Sequence, residues 1–422
     1  TTRNATGPSV ADPRSGEILE SDIIWYHNHL RSYRNRYLIE TGAANPKARS
    51  LKTPEKEIGE MMRRVISHEI GHAIGLPHNM KASSAYPVDS LRSGTFTQKF
   101  GIATTIMDYA RYNYVAQPGD QNIRFVRQLG PYDDYSVEWG YRYFDENSET
   151  EKEILREMVD SKSLNPMYMF GGNGNDPNSQ TENIGDDPIK ASMYGIRNLK
   201  IVAENLRNWT VEPTENYDDL EEIYGELLGT YRRYIYHVHN LIGGIYKTPH
   251  NSNQEETSTY LNVDEVKQME ALSFLEKNLW TTQNWLINKE LVSQIKGEGI
   301  LNTIQELQIN ALNRFLSVEK LNRMLSAQES LNGDALKIEM LFDNLFLVLV
   351  KKHIKPDLYQ QRLQLHFIER IKYLMDEKKL NPIIKGLLLE LKGDIKRIAF
   401  IKSILSKGNQ KAHFTYLKRS SN

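Results

Sequence analysis

Three histidines and one glutamate in the run His68-Glu69-Ile70-Gly71-His72-Ala73-Ile74-Gly75-Leu76-Pro77-His78 are spaced to hold a metal ion and to work a water beside it. Residues four apart on a helix share one face, a turn apart, so the imidazoles of His68 and His72 can grip one ion together. Glu69 follows the first ligand, which lets its carboxylate reach a water on the ion without joining the ligands. Gly75 accepts the left-handed turn that lets a chain leave a helix at no steric cost. That turn brings His78 round as the third ligand and leaves a fourth position open for water and substrate. An amphipathic helix with two histidines on its buried edge would explain the first five residues alone. The glycine and third histidine, each three residues further on, point instead to a catalytic zinc site, because histidine is uncommon in average composition.

A helix must carry the first two ligands, and its signals are present. Thr53 can cap it and Pro54 suits its first position, while Ile58, Met61, Met62, Val65 and Ile66 supply an apolar side. The helix is expected over Thr53 to Gly75. Before it, Thr1 to about Pro13 reads as a loose polar arm, Glu17 to Trp25 as a strand and Tyr26 to Arg36 as a helix. Residues His78 to Gln128 are loop-rich, as suits one half of a cleft, and helices follow at Tyr132 to Phe144 and Glu149 to Ser161.

The sequence resembles the metzincin zinc endopeptidases, whose pattern H-E-x-x-H-x-x-G-x-x-H is followed by a methionine in a tight turn beneath the metal. Thr104-Thr105-Ile106-Met107-Asp108-Tyr109 resembles that turn, which implies that Met107 packs under the zinc. Tyr109 stands where some members carry a tyrosine that reaches the zinc or the oxyanion of the reacting carbonyl, and an ordinary packed tyrosine is the competing reading. Family position also implies that Tyr112, Tyr114 and Val115 line a substrate pocket. The phrases Gly7-Pro8-Ser9, Asp12 to Ile18, Met107 to Asp120 and Pro131 to Tyr141 are similar to large zinc-dependent metalloproteases typical of Bacteroidetes. Such catalytic domains place several strands before the zinc helix. Little precedes His68, so the expectation is a C-terminal portion of a longer protein, with part of the sheet outside it.

Downstream, a polar loop runs from Gly171 to Pro188 through Asp176, Asp186 and Asp187. Its oxygens could hold a calcium ion, although the spacing matches no known calcium loop and a turn-rich connection explains it as well. From Lys190 the chain reads as successive helices: Ile223 to Ile242, Val263 to Trp280, Leu301 to Phe315, Ser317 to Ser326, Asp334 to Val350, Asp357 to Met375 and Pro382 to Leu405. Gly243-Gly244, Pro249 and Asn332-Gly333 punctuate them without a fixed repeat. The expected fold is mainly α (α+β), with little sheet. Residues 1–165 would be the catalytic part, 166–190 a polar linker and 191–422 an irregular helical domain.

Composition narrows the remaining classes. The 422 residues carry a formal net charge of −1, which gives no electrostatic case for nucleic acid or membrane surface. A basic excess from Lys337 to Asn422 reads as the solvated face of helices. With no cysteine, any zinc must be held by nitrogen and oxygen. The longest apolar run, Leu341 to Val350, is too short to span a membrane. The chain begins without an initiator methionine and is expected to start downstream of one, and the absence of cysteine suits a periplasmic, cell-surface or secreted enzyme. The pairs His27/His29 and His237/His239 lack a third ligand and read as structural or surface residues. No nucleophile elbow, phosphate loop or nucleic-acid motif appears. The expected function is zinc-dependent hydrolysis of peptide bonds, with protein or peptide as substrate. A zinc-binding but inactive interaction module is the rival, and it gives Glu69 no role.

Overall fold

Short extended segments open the chain where the sequence leads one to expect a loose arm. In the computed structural model, which describes residues 5–421 except 146–147, 173, 175, 213–215, 249–250, 252–253, 255–257, 296 and 330–334, four short strands precede the first helix. Strand β1 (Ala5–Thr6) pairs antiparallel with β4 (Ile24–Trp25), and β2 (Ser9–Ala11) pairs with β3 (Ile18–Ser21) across an irregularity between Val10 and Ala11. The single strand expected over Glu17 to Trp25 is thus two strands with different partners. The turn between β2 and β3 is closed by Asp12, whose carboxylate accepts the Arg14 amide at 2.8 Å, and by Gly16 at φ +77°.

Helix α1 (His29–Thr41) and helix α2 (Glu55–Ala73) then pack against each other. Their shared core holds Tyr33, Tyr37, Met61 and Val65 together with Tyr112 and Val126, and Trp25 and Phe125 pack at its edge. His68 and His72 stand seven residues, two helical turns, after Met61 and Val65, so the face of α2 that packs into this core also carries the two histidines. The expected Thr53 cap is not made: Pro54 holds the N-cap position without a side-chain bond, and Glu55 and Glu57 in the first turn complement the helix dipole.

A loop-rich stretch follows and contains one short helix, α3 (Gly94–Phe100). Helices α4 (Pro131–Tyr141), α5 (Ser148–Asp160), α6 (Pro188–Thr210) and α7 (Asp218–His239) come next, and strands β5 (Ile245–Lys247) and β6 (Tyr260–Asn262) pair with each other. Two compact units result, residues 1–237 with 246–261 and residues 238–245 with 262–422. Packing therefore gathers the polar loop and α6 into the first unit, whereas the composition of the sequence changes near residue 190.

The second unit is built from α8 (Glu265–Leu275), α9 (Lys289–Gln294), α10 (Gly297–Phe315), α11 (Val318–Glu329), α12 (Ile338–Phe346), α13 (Leu358–Asp376), α14 (Pro382–Leu405) and α15 (Gly408–Ser420). Its core is formed by residues such as Trp280, Phe315, Leu341, Phe367, Leu388 and Phe414. Wide π-helical turns at Glu276–Trp280 and Leu347–Lys351 extend α8 and α12, and α15 is a helix the sequence pattern does not announce. Pro249, Asn332 and Gly333 lie outside the described residues. Mainly helical, with three two-stranded pairings among the described residues, the chain has the fold class its sequence implies.

Candidate metal centre

Helix α2 delivers two histidines and its own terminus delivers the third. The amide of Gly75 donates to the His72 carbonyl at 2.9 Å and that of Leu76 donates to the Gly71 carbonyl at 2.9 Å, which is the paired ending known as a Schellman motif. Gly75 supplies the required left-handed residue at φ +87°. The chain reverses there, and His78 comes back over the helix face.

The three imidazoles converge. Nε2 of His78 lies 2.9 Å from Nε2 of His72 and 3.2 Å from Nε2 of His68. Nδ1 of His68 lies 2.7 Å from the Ile106 carbonyl and Nδ1 of His72 lies 2.9 Å from the Leu76 carbonyl. Carbonyls only accept, so both Nδ1 atoms carry the proton and both Nε2 atoms are bare lone pairs. Lone pairs facing one another at this range call for a cation. Tetrahedral zinc with bonds of about 2.0–2.1 Å sets nitrogens about 3.3 Å apart, so the residues fit that ion. Among the described residues, His68, His72 and His78 are the one group of histidine or carboxylate side chains gathered closely enough to hold a metal. Burial holds the rings in the neutral form that metal binding needs. It pushes His68 down to about 2, helped by the charge of Arg127, and pushes His78 down to about 4, helped by His72 and Arg127.

The outer support is as specific as the ligands. The Ile106 carbonyl beside His68 also accepts from Arg127 Nη1 at 2.6 Å, so a buried guanidinium fixes the group that fixes the ligand. Asp133 at the start of α4 accepts from the Thr105 hydroxyl and from the amides of Ile106 at 3.0 Å and Gly130 at 2.9 Å. Thr105 in turn accepts the Met107 amide at 2.9 Å. Asp108 accepts the amides of Ser83 at 2.8 Å and Ala110 at 2.7 Å, and burial lifts its carboxyl to about 6. Met107 is buried with its sulfur against Gly71, and its carbonyl accepts the Asn79 amide next to the third ligand at 3.1 Å. Gly71 admits its sulfur.

Glu69 is buried on α2 between the ligands. Burial pushes its carboxyl up, while the charge of His72 and the Gly7 amide pull it down. Gly7 sits so close to α2 that an added Cβ would lie 2.3 Å from the Glu69 carbonyl oxygen. The arm that begins with β1 is therefore laid over the site, a contact the sequence does not signal beyond the glycine itself. Tyr109 is brought to the centre as well, its ring centroid 4.5 Å from that of His78 and 5.6 Å from that of His68. The Arg111 guanidinium lies 5.4 Å from the Tyr109 ring centroid.

The expected pocket residues are placed elsewhere. Tyr112, Tyr114 and Val115 expose at most 1% of their surface. Tyr112 donates to the Tyr33 carbonyl at 3.0 Å, and the Tyr114 ring packs 4.4 Å from that of Tyr234. They are core, because the chain after Tyr109 turns inward to close on α1 and α6 and leaves them no surface for a substrate. The expected calcium loop is also otherwise engaged. Asp176 is paired with Lys81 at 2.7 Å, Asp186 accepts the Val88 amide at 3.0 Å and Asp187 caps α6, while Asn173 and Asn175 lie outside the described residues. His237 accepts a structural role, its Nε2 lying 3.0 Å from the Thr181 carbonyl, and His29 stacks edge-on against Tyr33.

Helix, glycine turn, third histidine and buried methionine together define a metalloprotease-type zinc centre, and comparison of the sequence with protein-family models agrees. The Met-zincin model matches residues 50–357, nearly three quarters of the chain, so this chain belongs to the Met-zincin family of zinc metalloproteases. No curated protein and no solved structure matches it.

Proposed function

We propose that the chain is a zinc-dependent endopeptidase in which Glu69 is the general base. The observation that carries this reading is the convergence of three imidazole Nε2 atoms on one point with a buried carboxylate on the same helix. Zinc, when held there, polarises a peptide carbonyl and makes a water more acidic.

The chain's own residues account for the proton movements. A Glu69 carboxylate oxygen takes the proton of the attacking water and later gives it to the leaving amide nitrogen, and a carboxyl raised by burial suits both tasks. The Tyr109 hydroxyl, on a ring seated against His78, donates to the carbonyl oxygen as it gains negative charge. Arg127 and Ile106 hold the His68 ring in one tautomer. The peptide substrate approaches over α2 beside the arm at Gly7. No described helix is long and apolar enough to cross a membrane. Work outside the cytoplasm, in the periplasm, at the cell surface or secreted, suits a chain without cysteine.

The test compares wild type with Glu69→Ala on a denatured protein and a peptide library, both proteins being fully loaded with zinc. Cleavage by wild type alone supports the reading. If neither protein cuts although both hold zinc, the chain is a binding module and the endopeptidase reading is wrong.

A further inference from the structure

Helix α14 is apolar on more than the side it packs. Ile384, Leu388, Leu391, Ile395 and Ala399 bury one face of it in the second unit, yet its last turns carry Ile401, Ile404 and Leu405 on the outside. A helix that is apolar all round is ordinarily covered all round. The same stretch is strongly basic. From Lys385 to Arg419 nine lysines and arginines stand against two acidic residues, Glu390 and Asp394, and Arg397 occupies Asp394 at 2.7 Å.

Hydrogen bonds gather the exposed residues at one end of the unit. The Lys402 ammonium donates to the carbonyls of Val350 at 2.6 Å and His353 at 2.7 Å, which ties the end of α14 to the turn after Leu347–Lys351. Gln410 in α15 donates to the Pro356 carbonyl at 2.9 Å and ties the next helix to the same turn. Ile354 and Leu358 in that turn are 74% and 71% exposed, and Ile404 and Leu405 are 64% and 78% exposed. Side chains with well over half of their surface free project from a tip rather than line a groove. Lys351, Lys355, Lys407 and Lys411 are exposed beside them in the chain. Lys352 takes up Glu276 at 2.5 Å, and Asp357 caps α13 and accepts the Thr282 hydroxyl at 2.7 Å, so an excess of positive charge is left at the tip.

We infer that this end of the second unit docks on the surface of an anionic phospholipid bilayer. Projecting aliphatic side chains ringed by ammonium groups match the two layers of such a surface. Ile354, Leu358, Ile404 and Leu405 enter the acyl boundary, and the lysines meet the phosphates at the level above it. A protein partner would need an acidic groove of matching depth, whereas a bilayer yields to the tip. The balance of −1 over the whole chain conceals the site, because acidic residues elsewhere cancel the lysines gathered here. Docking of this kind needs no membrane-spanning helix and stands apart from the peptidase reading.

The test floats the full chain through a density gradient with vesicles of phosphatidylcholine alone or of phosphatidylcholine with phosphatidylglycerol. Wild type is expected to rise with the anionic vesicles only, and to be released as salt screens the charges. Each lysine at such a surface is worth a factor of about five in partitioning, so Lys355→Gln, Lys407→Gln and Lys411→Gln together should weaken it by about 100-fold. Ile354→Ser with Leu405→Ser should weaken it by about tenfold. All five positions are exposed, so both variants are expected to melt with wild type. Failure of wild type to float, equal flotation on both vesicles, or binding that survives the serine pair overturns the inference. Retention on immobilised polyglutamate without flotation overturns it in favour of an acidic polypeptide partner. Self-association in sedimentation velocity that the serine pair abolishes, again without flotation, overturns it in favour of a second copy of the chain.

Discussion

The sulfur of Met107 occupies the place where any other residue at Gly71 would carry its side chain: a Cβ on Gly71 would lie 2.2 Å from Met107 Sδ. The residue between the two helical histidines and the buried methionine are thus one packing unit. The missing side chain brings the methionine against α2 between the two helical histidines. Replacing Gly71 with alanine must move one of them. Overpacking of this kind costs about 1–3 kcal/mol. The expected result for Gly71→Ala is a lower unfolding midpoint in urea together with weaker zinc retention in a chelator competition. An unchanged zinc affinity would show that the contact serves stability alone.

Removal of the ion should be felt as a loss of stability. The Nε2 atoms of His68 and His72 lie within 3.2 Å of that of His78, nitrogens that repel when nothing lies between them, and a ligand that binds only the folded state stabilises it by mass action. Excess chelator is expected to lower the melting temperature of wild type. His72→Ala should melt at the same temperature with chelator or without it, because its site no longer holds the ion tightly. Differential scanning fluorimetry of the two proteins decides this.

How far the sequence reveals this architecture depends on the range of the signal. The ligands and Gly75 are legible because a helix and its terminus fix their relations within a few residues, whereas Met107 is legible only through the resemblance of its turn to the metzincin pattern. The role of Gly71 depends on a residue 36 positions away, and that of Asp133 on Thr105 and Ile106, so neither has a local pattern. Strands β1 and β2 are two and three residues long, too short for alternation to show, and the arm reads as loose although Gly7 lies on α2. Tyr112, Tyr114 and Val115 sit in a polar-aromatic stretch that looks like a binding loop, and only the packing of Tyr33 and Tyr234 against it makes it core. The helices of the second unit are legible from their apolar spacing, but the division near residue 238 is not, since α6 carries the same pattern as the helices after it.

Glu182 makes acid stability measurable. It is a non-glycine residue at φ +65°, buried, and paired with Arg36, Arg111 and Arg233. Burial alone would raise its carboxyl, but Arg111, Arg233 and Arg36 outweigh burial and hold it well below the ordinary 4.5. A depressed carboxyl contributes stability that is fully present above pH 4.5 and is lost as the pH falls through its folded pKa. Glu182→Gln removes the carboxylate that Arg36, Arg111 and Arg233 share and is expected to cost about 3–5 kcal/mol at pH 7. The gap between variant and wild type should narrow as the pH is lowered below 4.5. Urea unfolding at several pH values measures it, and a gap that is constant with pH would assign the cost to lost packing instead.

Tyr109 separates a working residue from a packed one. Its ring contacts those of His78 and His68, and the Arg111 guanidinium lies near its ring. Arg111 is itself held by Glu182 and donates to the Tyr33 hydroxyl at 3.0 Å, so the ring rests against a fixed support. Burial raises the phenol above its ordinary 10, with Arg111 opposing, so the hydroxyl keeps its proton at neutral pH and can donate it. Phenylalanine preserves the ring and its contacts and removes only the donor. If the hydroxyl stabilises the oxyanion, Tyr109→Phe should lower kcat by about 10²–10³-fold, the usual loss on removing one such donor, with KM, zinc content and melting temperature held. If the tyrosine is merely packed, kcat will stay at the wild-type value. A rise in KM at constant kcat would instead place the hydroxyl on the bound substrate before the bond begins to break.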